Sequence, residues 1–355
     1  MGWPSLASNS GGPEDVILRR GVEQRSTSVQ PLLDDAIIAL LTRGSWMQEA
    51  LGLVVPTYQA EAEIVACLDP WIASGRVERI LVVDSSSSDR TTDLAREMGA
   101  EVMVIPKAEF NHGRVRNLAR QRLGTSLVAF VSQDATLKNA AMVQRLLEPL
   151  SAAGIAVAYA RQIPRPDASA REVMHRHFLY PAISSVREVA DLAKIGRRAH
   201  FCSNSCAIWR QSALDGVGGF PPTMFAEDAM AALALLLQGD RIAYVADAEV
   251  IHSHALSLWK QTQRYFDMGM GRHEMETRLP LLKALPSDTG EGWRYVVTLI
   301  GTLLRTAPHE LPIAMVETLC KWVAFQSGSQ FHRSLRVLER GRSSCKSPSR
   351  PGACA

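Results

Sequence analysis

A chain of 355 residues, 46% hydrophobic and 21% charged, carries enough apolar material for one large core and excludes an intrinsically disordered protein. Its net charge of +3 is too small to argue for nucleic acid as a partner, although it suits an anionic ligand or an anionic membrane surface. The cysteines (Cys67, Cys202, Cys206, Cys320, Cys345 and Cys354) form no Cys-x-x-Cys pair, which argues against a zinc cage or a secreted disulfide framework and predicts a reducing, cytoplasmic compartment.

Residues 1–48 are rich in Ser, Gly, Pro and charge apart from a helical patch at 32–41, and read as a flexible extension without the apolar core of a signal peptide. Regular structure begins with the apolar run 51–55, closed by Pro56, which reads as a buried strand followed by a helix over 60–72. The pattern repeats: strand 79–83, helix 90–98, strand 101–105, helix 115–122, strand 127–131. Such alternation predicts a mostly parallel α/β sheet flanked by helices, with ligands bound beyond the carboxyl ends of its strands. The unusual polar residues of this half fall at those ends: Thr57-Tyr58, the loop from Asp84 to Asp89, Asn111-His112 and Gln133-Asp134.

From 155 the order loosens into a mixed second half, with a Pro-rich turn at 161–166 and a helix near 170–180, that closes the cleft. Glu227-Asp228 opens an apolar helical run, and His252-Ser253-His254 ends a short strand. An acidic pair at a helix start and a His pair on the next strand offer a base and a metal ligand from two rigid elements. A long helix (256–278) and two amphipathic segments (293–304 and 311–325) follow; the tail from 333 is basic and predicted to be disordered. No run of ~18 or more apolar residues spans a membrane. The amphipathic segments, with Trp, Leu and Val beside Arg294, Arg305 and Lys321, suit either peripheral adsorption on anionic lipid or completion of the core.

Several motifs admit two readings. The loop Asp84-Ser85-Ser86-Ser87-Ser88-Asp89 can hold a base or ribose, or can be a βα loop whose Asp89 caps the next helix. Asp134 and His252 can share a divalent ion whose remaining ligands come from a diphosphate and water, or can be a helix cap and a satisfied strand histidine. Arg114, Arg116 and Asn117 can meet phosphate or fix their own loop. Gln261 and Arg264, one turn apart, can clamp a diphosphate or acceptor, or be solvated surface.

Taken together, Val54-Val55-Pro56-Thr57-Tyr58, Val82-Val83-Asp84 with its serines, the acidic motif after the fourth strand, Glu227-Asp228 and a late His resemble the family 2 inverting glycosyltransferases over residues 51–271. Phe110-Asn111-His112-Gly113 with Arg116-Asn117, Gln133-Asp134-Ala135, Arg161-Gln162 and His252-Ser253-His254 resemble the rhamnosyltransferase-like group of bacterial polysaccharide assembly within that family. The resemblance implies a GT-A type, Rossmann-like fold. It implies a nucleotide-sugar donor bound by Pro56, Thr57, Tyr58, Asp84, Arg116, Asn117 and Gln133, with Mg²⁺ or Mn²⁺ on Asp134 and His252. Asp228 would be the general base, and Glu227, Gln261, Arg264 and Tyr265 would clamp the acceptor or diphosphate. The last three are similar to a Gln-x-x-Arg-Trp motif with Tyr in place of Trp. The family's Asp-x-Asp is reduced here to Asp134 alone, flanked by Gln133 and Ala135. The expected reaction is transfer of a sugar, rhamnose from dTDP-rhamnose, to a saccharide or polyprenyl-linked acceptor at the inner face of the plasma membrane. A UDP-hexose donor, a non-catalytic sugar-nucleotide-binding scaffold and a metal hydrolase using His252 and His254 are the rivals, the last disfavoured because strand alternation supplies no third nearby ligand. The expected organisation is an extension (1–48), a transferase domain (49–275), a helical appendage (276–332) and a basic tail (333–355).

Overall fold

A computed structural model describes residues 49–223, 225–252, 257–286 and 289–344, with backbone alone beyond 331. The first half runs β1 (Leu51–Thr57), α1 (Ile64–Ala73), β2 (Val77–Asp84), α2 (Thr91–Glu97), β3 (Glu101–Val104), α3 (His112–Leu123) and β4 (Leu127–Val131). It continues through β5 (Thr136–Leu137), α4 (Ala141–Leu147), β6 (Ile155–Ile163), α5 (Ala170–Leu179), β7 (Ser185–Arg187), α6 (Asp191–Ile195), β8 (Cys206–Arg210), α7 (Gln211–Gly216), α8 (Glu227–Gln238) and β9 (Arg241–Ile251). Three helices follow: α9 (Leu258–Arg278), α10 (Thr289–Thr306) and α11 (Leu311–Ser344). The extension (1–48) and His254 lie outside the described residues. α9 crosses the boundary expected at 275, and α11 runs past the expected end of structure at 333.

Every residue of β4 and all but Pro56 of β1 are buried, as strands covered by helices on both faces must be. The sheet has nine strands, in the order β3-β2-β1-β4-β8-β6-β9-β5 with β7 on β9. The pairs β2–β3, β1–β2, β1–β4 and β6–β9 are parallel, whereas β8 runs antiparallel to both β4 and β6. That reversal sets Cys206, the first residue of β8, opposite Val131, the last of β4. One edge of the sheet therefore collects the carboxyl ends of β1, β2, β4, β6 and β9 together with the start of β8. Because β1 sits between β2 and β4, the chain leaves it on one side and returns on the other, opening a crevice at this edge.

Below the crevice, Phe220 packs edge-on to Phe130 at 5.2 Å and to Trp209 at 5.0 Å, all three fully buried. Further along, the inner face of α10, Leu299 and Leu303, packs with Met174 of α5. α9 and α11 cross in close contact. A Cβ at Gly269 would lie 2.2 Å from the Phe325 carbonyl oxygen, and one at Gly328 would lie 2.0 Å from that of Phe266. Only glycine permits that approach.

Candidate active site

Three non-glycine residues among those described have positive φ: Gln59 (52°), Ser86 (60°) and Ala226 (59°). All three adjoin the polar edge, and such strain costs ~1–3 kcal/mol each.

At β1 and β2 the polar groups satisfy one another. Thr57 Oγ1 donates to Asp84 Oδ1 at 2.9 Å, Ser87 Oγ donates to the same oxygen at 2.6 Å, and the Ser87 amide donates to Asp84 Oδ2 at 2.7 Å. Asp84 is fully buried, so its carboxylate shapes the serine loop from beneath. Asp89 stays in that loop, accepting from the amides of Glu61 and Thr91 at 3.1 Å. Across the crevice, the Tyr58 amide donates to Gln133 Oε1 at 2.8 Å, and Gln133 Nε2 returns a bond to the Tyr58 carbonyl at 3.2 Å. An amide can both donate and accept, and a carboxylate cannot, which is a physical reason for Gln at this position. This clasp presents the Tyr58 ring, 39% exposed, with the Lys107 ammonium 3.9 Å from its centroid. Lys107 lowers the Tyr58 phenol below its ordinary pKa by hydrogen bonding and by charge. Lys107 was absent from the residues expected by sequence; nothing in a chain separation of 49 positions announces the pair. Pro56, half-buried, pairs with Val83 inside the sheet.

At the end of β4, Asp134 Oδ1 lies 3.4 Å from Nδ1 of His252, which follows β9. His252 is buried and Asp134 partly exposed, so a carboxylate oxygen and an imidazole nitrogen converge at the crevice. No group of three or more His, Cys, Asp or Glu suited to a metal occurs among the described residues. Two protein donors fit a divalent ion that takes its other oxygens from a diphosphate and water.

The third cluster lies at the start of α8. The backbone amide of Asn204 donates to Asp228 Oδ2 at 3.0 Å, and the Ala229 amide donates to Oδ1 at 2.8 Å. Burial first, and the neighbouring Glu227 carboxylate second, push the Asp228 carboxyl up to about 7. Glu227 is buried in an ion pair with Arg116, and the Asn204 side-chain amide donates to the same Glu227 oxygen at 3.4 Å. Asn204 in turn accepts from the Trp209 indole at 2.7 Å. This asparagine, in the polar run Ser203-Asn204-Ser205 just before a strand, links both carboxylates and was assigned no role from the sequence.

Two residues expected at the donor hold partners within the fold. Arg116, buried, is committed to Glu227 and lies 3.2 Å from His112 Nδ1; Asn117 binds both backbone groups of Phe220, at 2.7 and 3.0 Å. A Cβ on Gly113 would sit 1.9 Å from the Pro221 carbonyl oxygen. The motif from Phe110 to Asn117 is therefore a seat for the turn leading into Glu227-Asp228, because it packs backbone against backbone. Glu227, expected in the clamp, holds this ion pair. The other clamp residues sit on α9: Gln261 partly exposed, Arg264 exposed, and Tyr265 half-buried with the Lys321 ammonium 5.6 Å from its ring centroid.

A buried carboxylate of raised pKa, a carboxylate–imidazole pair and a polar crevice on one sheet edge can support group transfer from a phosphorylated donor. The description "Glycosyl transferase family 2" matches residues 53–218. The chain is 34% identical over 287 residues to the O-antigen chain rhamnosyltransferase RfbN of Salmonella typhimurium, covering 79% of this chain and 90% of that protein. It is 32% identical over 286 residues to the O-antigen chain rhamnosyltransferase WbaN of Salmonella anatum, covering 79% and 89%. Among solved structures, the fold is similar to that of the mannosyltransferase PcManGT from Pyrobaculum calidifontis, in complex with GDP-Man and Mn²⁺, with a TM-score of 0.50 at 14% identity over 88% of this chain and 95% of that one. With its GT-A-like α/β fold, the chain belongs to glycosyl transferase family 2.

Proposed function

We propose that this protein transfers rhamnose, with inversion, from dTDP-rhamnose to a saccharide or polyprenyl-linked acceptor in surface polysaccharide synthesis. Its likeness to two O-antigen chain rhamnosyltransferases supports the sugar and the polymer. The observation that carries the chemistry is Asp228, fixed by two backbone amides and raised toward neutrality. A carboxyl whose pKa lies near the working pH is suited to general base catalysis. Its free lone pairs take the proton of the acceptor hydroxyl as that oxygen attacks the anomeric carbon. The bond from that carbon to the diphosphate breaks on the opposite face, and the nucleoside diphosphate departs.

Asp134 and His252 are the residues that would hold Mg²⁺ or Mn²⁺, which when bound supplies positive charge against the departing diphosphate. The Thr57, Tyr58, Asp84 and Gln133 group shapes the nucleotide side of the crevice, with Tyr58 offering a ring face. Gln261, Arg264 and Tyr265 stand on the acceptor side.

No helix among the described residues is long and apolar enough to cross a membrane. The outer faces of α10 and α11 nevertheless expose Trp293, Val297 and Leu304, and Met315, Val316, Leu319, Trp322 and Val323. On each helix these side chains fall in one arc of no more than ~120°, and Ile313 and Phe331 of α11 are exposed outside that arc. Exposed tryptophan stripes of this kind support peripheral contact with the inner face of the plasma membrane.

The test is a thermal-shift and transfer panel of dTDP-rhamnose, UDP-hexoses and the free diphosphates, with and without Mg²⁺ or Mn²⁺, since selective binding raises apparent stability. Metal-dependent stabilisation by dTDP-rhamnose and transfer with inverted configuration are expected. A UDP-hexose preference would replace the sugar, and no transfer with any donor would reject the enzyme reading.

A further inference from the structure

A cavity of about 500 Å³ opens between α5, α9, α10 and α11, and of the site residues described above it is lined by Gln261 alone. Its wall carries three cations, Arg165, Arg171 and Lys321, and three anions, Asp167, Glu172 and Glu317. All six are ion-paired: Arg165 with Asp167 at 3.7 Å, Arg171 with Glu317 at 3.2 Å, Lys321 with Glu317 at 3.9 Å, and Glu172 with Arg176 at 2.9 Å. A free anion would meet carboxylates as often as cations, and an acyl chain would leave those groups desolvated. A neutral polyhydroxyl ligand meets neither obstacle, because each hydroxyl both donates and accepts.

The rest of the lining agrees. Burial, then the Lys321 charge, lowers His175 to about 4, so it adds no cation at neutral pH. His175 Nδ1 lies 3.2 Å from the Tyr295 hydroxyl, and Leu299 and Ala314, almost wholly buried, back the wall. Polar groups around the Tyr295 ring match the two faces of a pyranose.

The cavity is also wired to the base. Glu172 accepts from Arg176 Nε, Arg176 Nη1 donates to Gln162 Oε1, and Gln162 Nε2 donates to Ser203 Oγ at 3.0 Å. Ser203 precedes Asn204, whose amide holds Asp228.

We propose that this cavity binds a neutral saccharide segment of the acceptor, two to four sugars long, so that the C-terminal helices read the acceptor while the sheet edge reads the donor. The assignment rests on the transferase reading above, but its test is a binding one. Saturation-transfer NMR on the full chain would use neutral di- to tetrasaccharides of common hexoses and deoxyhexoses, a sialylated trisaccharide and a polyprenyl phosphate. Neutral members should bind. Ala168→Trp, which fills the cavity from a half-buried turn, should weaken them about tenfold or more, the equivalent of ~1.4 kcal/mol. Gln261→Ala should weaken them several-fold, and it decides the matter if the Trp variant does not fold. The melting shift given by nucleoside diphosphates should be unchanged in Ala168→Trp. The assignment is overturned if no neutral saccharide binds at millimolar concentration, if a charged member is preferred, or if both variants bind saccharide as the unmodified protein does. Absence of a nucleotide shift in the unmodified protein would instead sink the transferase reading and leave the cavity result standing.

Discussion

The two sides of the crevice solve the problem of burying polar groups in opposite ways. On the side of β1 and β2, Asp84 is fully buried but accepts three hydrogen bonds, and the Tyr58–Gln133 clasp closes on itself. On the side of α8, two carboxylates stand next to each other, one ion-paired with Arg116 and the other held by two amides with its pKa raised. The first side is settled in the free protein and needs only a ligand to lie on it. The second retains an unfavourable charge, which is what a proton acceptor requires, since its interaction is to strengthen in the transition state. On the proposed reading, rigidity serves the donor and tension serves the reaction.

The strongest way to break this contrast is Asp228→Asn, which keeps the shape and removes proton acceptance. Transfer should fall by ~10² to 10⁴ with donor affinity near normal. Loss of donor binding in the folded variant would move Asp228 to the donor side. The same residue makes a pH prediction with a definite sign. A raised carboxyl pKa means that the charged form is disfavoured in the fold, so the associated stability is present at low pH and lost as pH rises through about 7. Transfer should therefore climb through about pH 7, while Asp228→Asn should melt above the unmodified protein at alkaline pH and not below pH ~4. A flat transfer profile across neutrality would count against Asp228 as the base.

Next in size is Arg116→Met, which leaves Glu227 buried without its cation and should cost ~3–5 kcal/mol of stability in urea unfolding. If Arg116 instead served the donor, the variant would keep its midpoint and lose nucleotide affinity. Smaller is the coupling of Asp134 to His252. Each alanine variant should weaken metal-dependent donor binding, and the double variant should lose less than the sum by ~0.5–3 kcal/mol. Strict additivity in a titration would separate the pair. The smallest effect is expected of Lys107→Met, which takes the cation from beside the Tyr58 ring; a few-fold loss of donor affinity is expected. No change would show that the nucleotide lies elsewhere than on Tyr58.

What the sequence determined by itself was set by local order. The repeated apolar runs at β1, β2 and β4 and the helices between them carry their own periodicity, and fold class follows from it. The positions of Thr57, Asp84, Gln133 and Asp134 are legible for the same reason, since each ends or follows a strand. What only the tertiary structure decided depends on pairings across long chain separations. Nothing local to β8 says that it runs backwards between β4 and β6, yet that reversal brings Asn204 to the crevice. Arg116 and Asn117 read as phosphate ligands because a guanidinium and an amide serve anions well; the partners they hold in the fold, Glu227 and Phe220, lie more than a hundred residues away. β5 spans two residues, too few for any alternation to register, and is a strand because Ile251 and Val250 are there to pair with it. The His252–Asp134 approach and the Lys107–Tyr58 contact have the same origin: chain order fixes which groups exist, and packing fixes which of them meet.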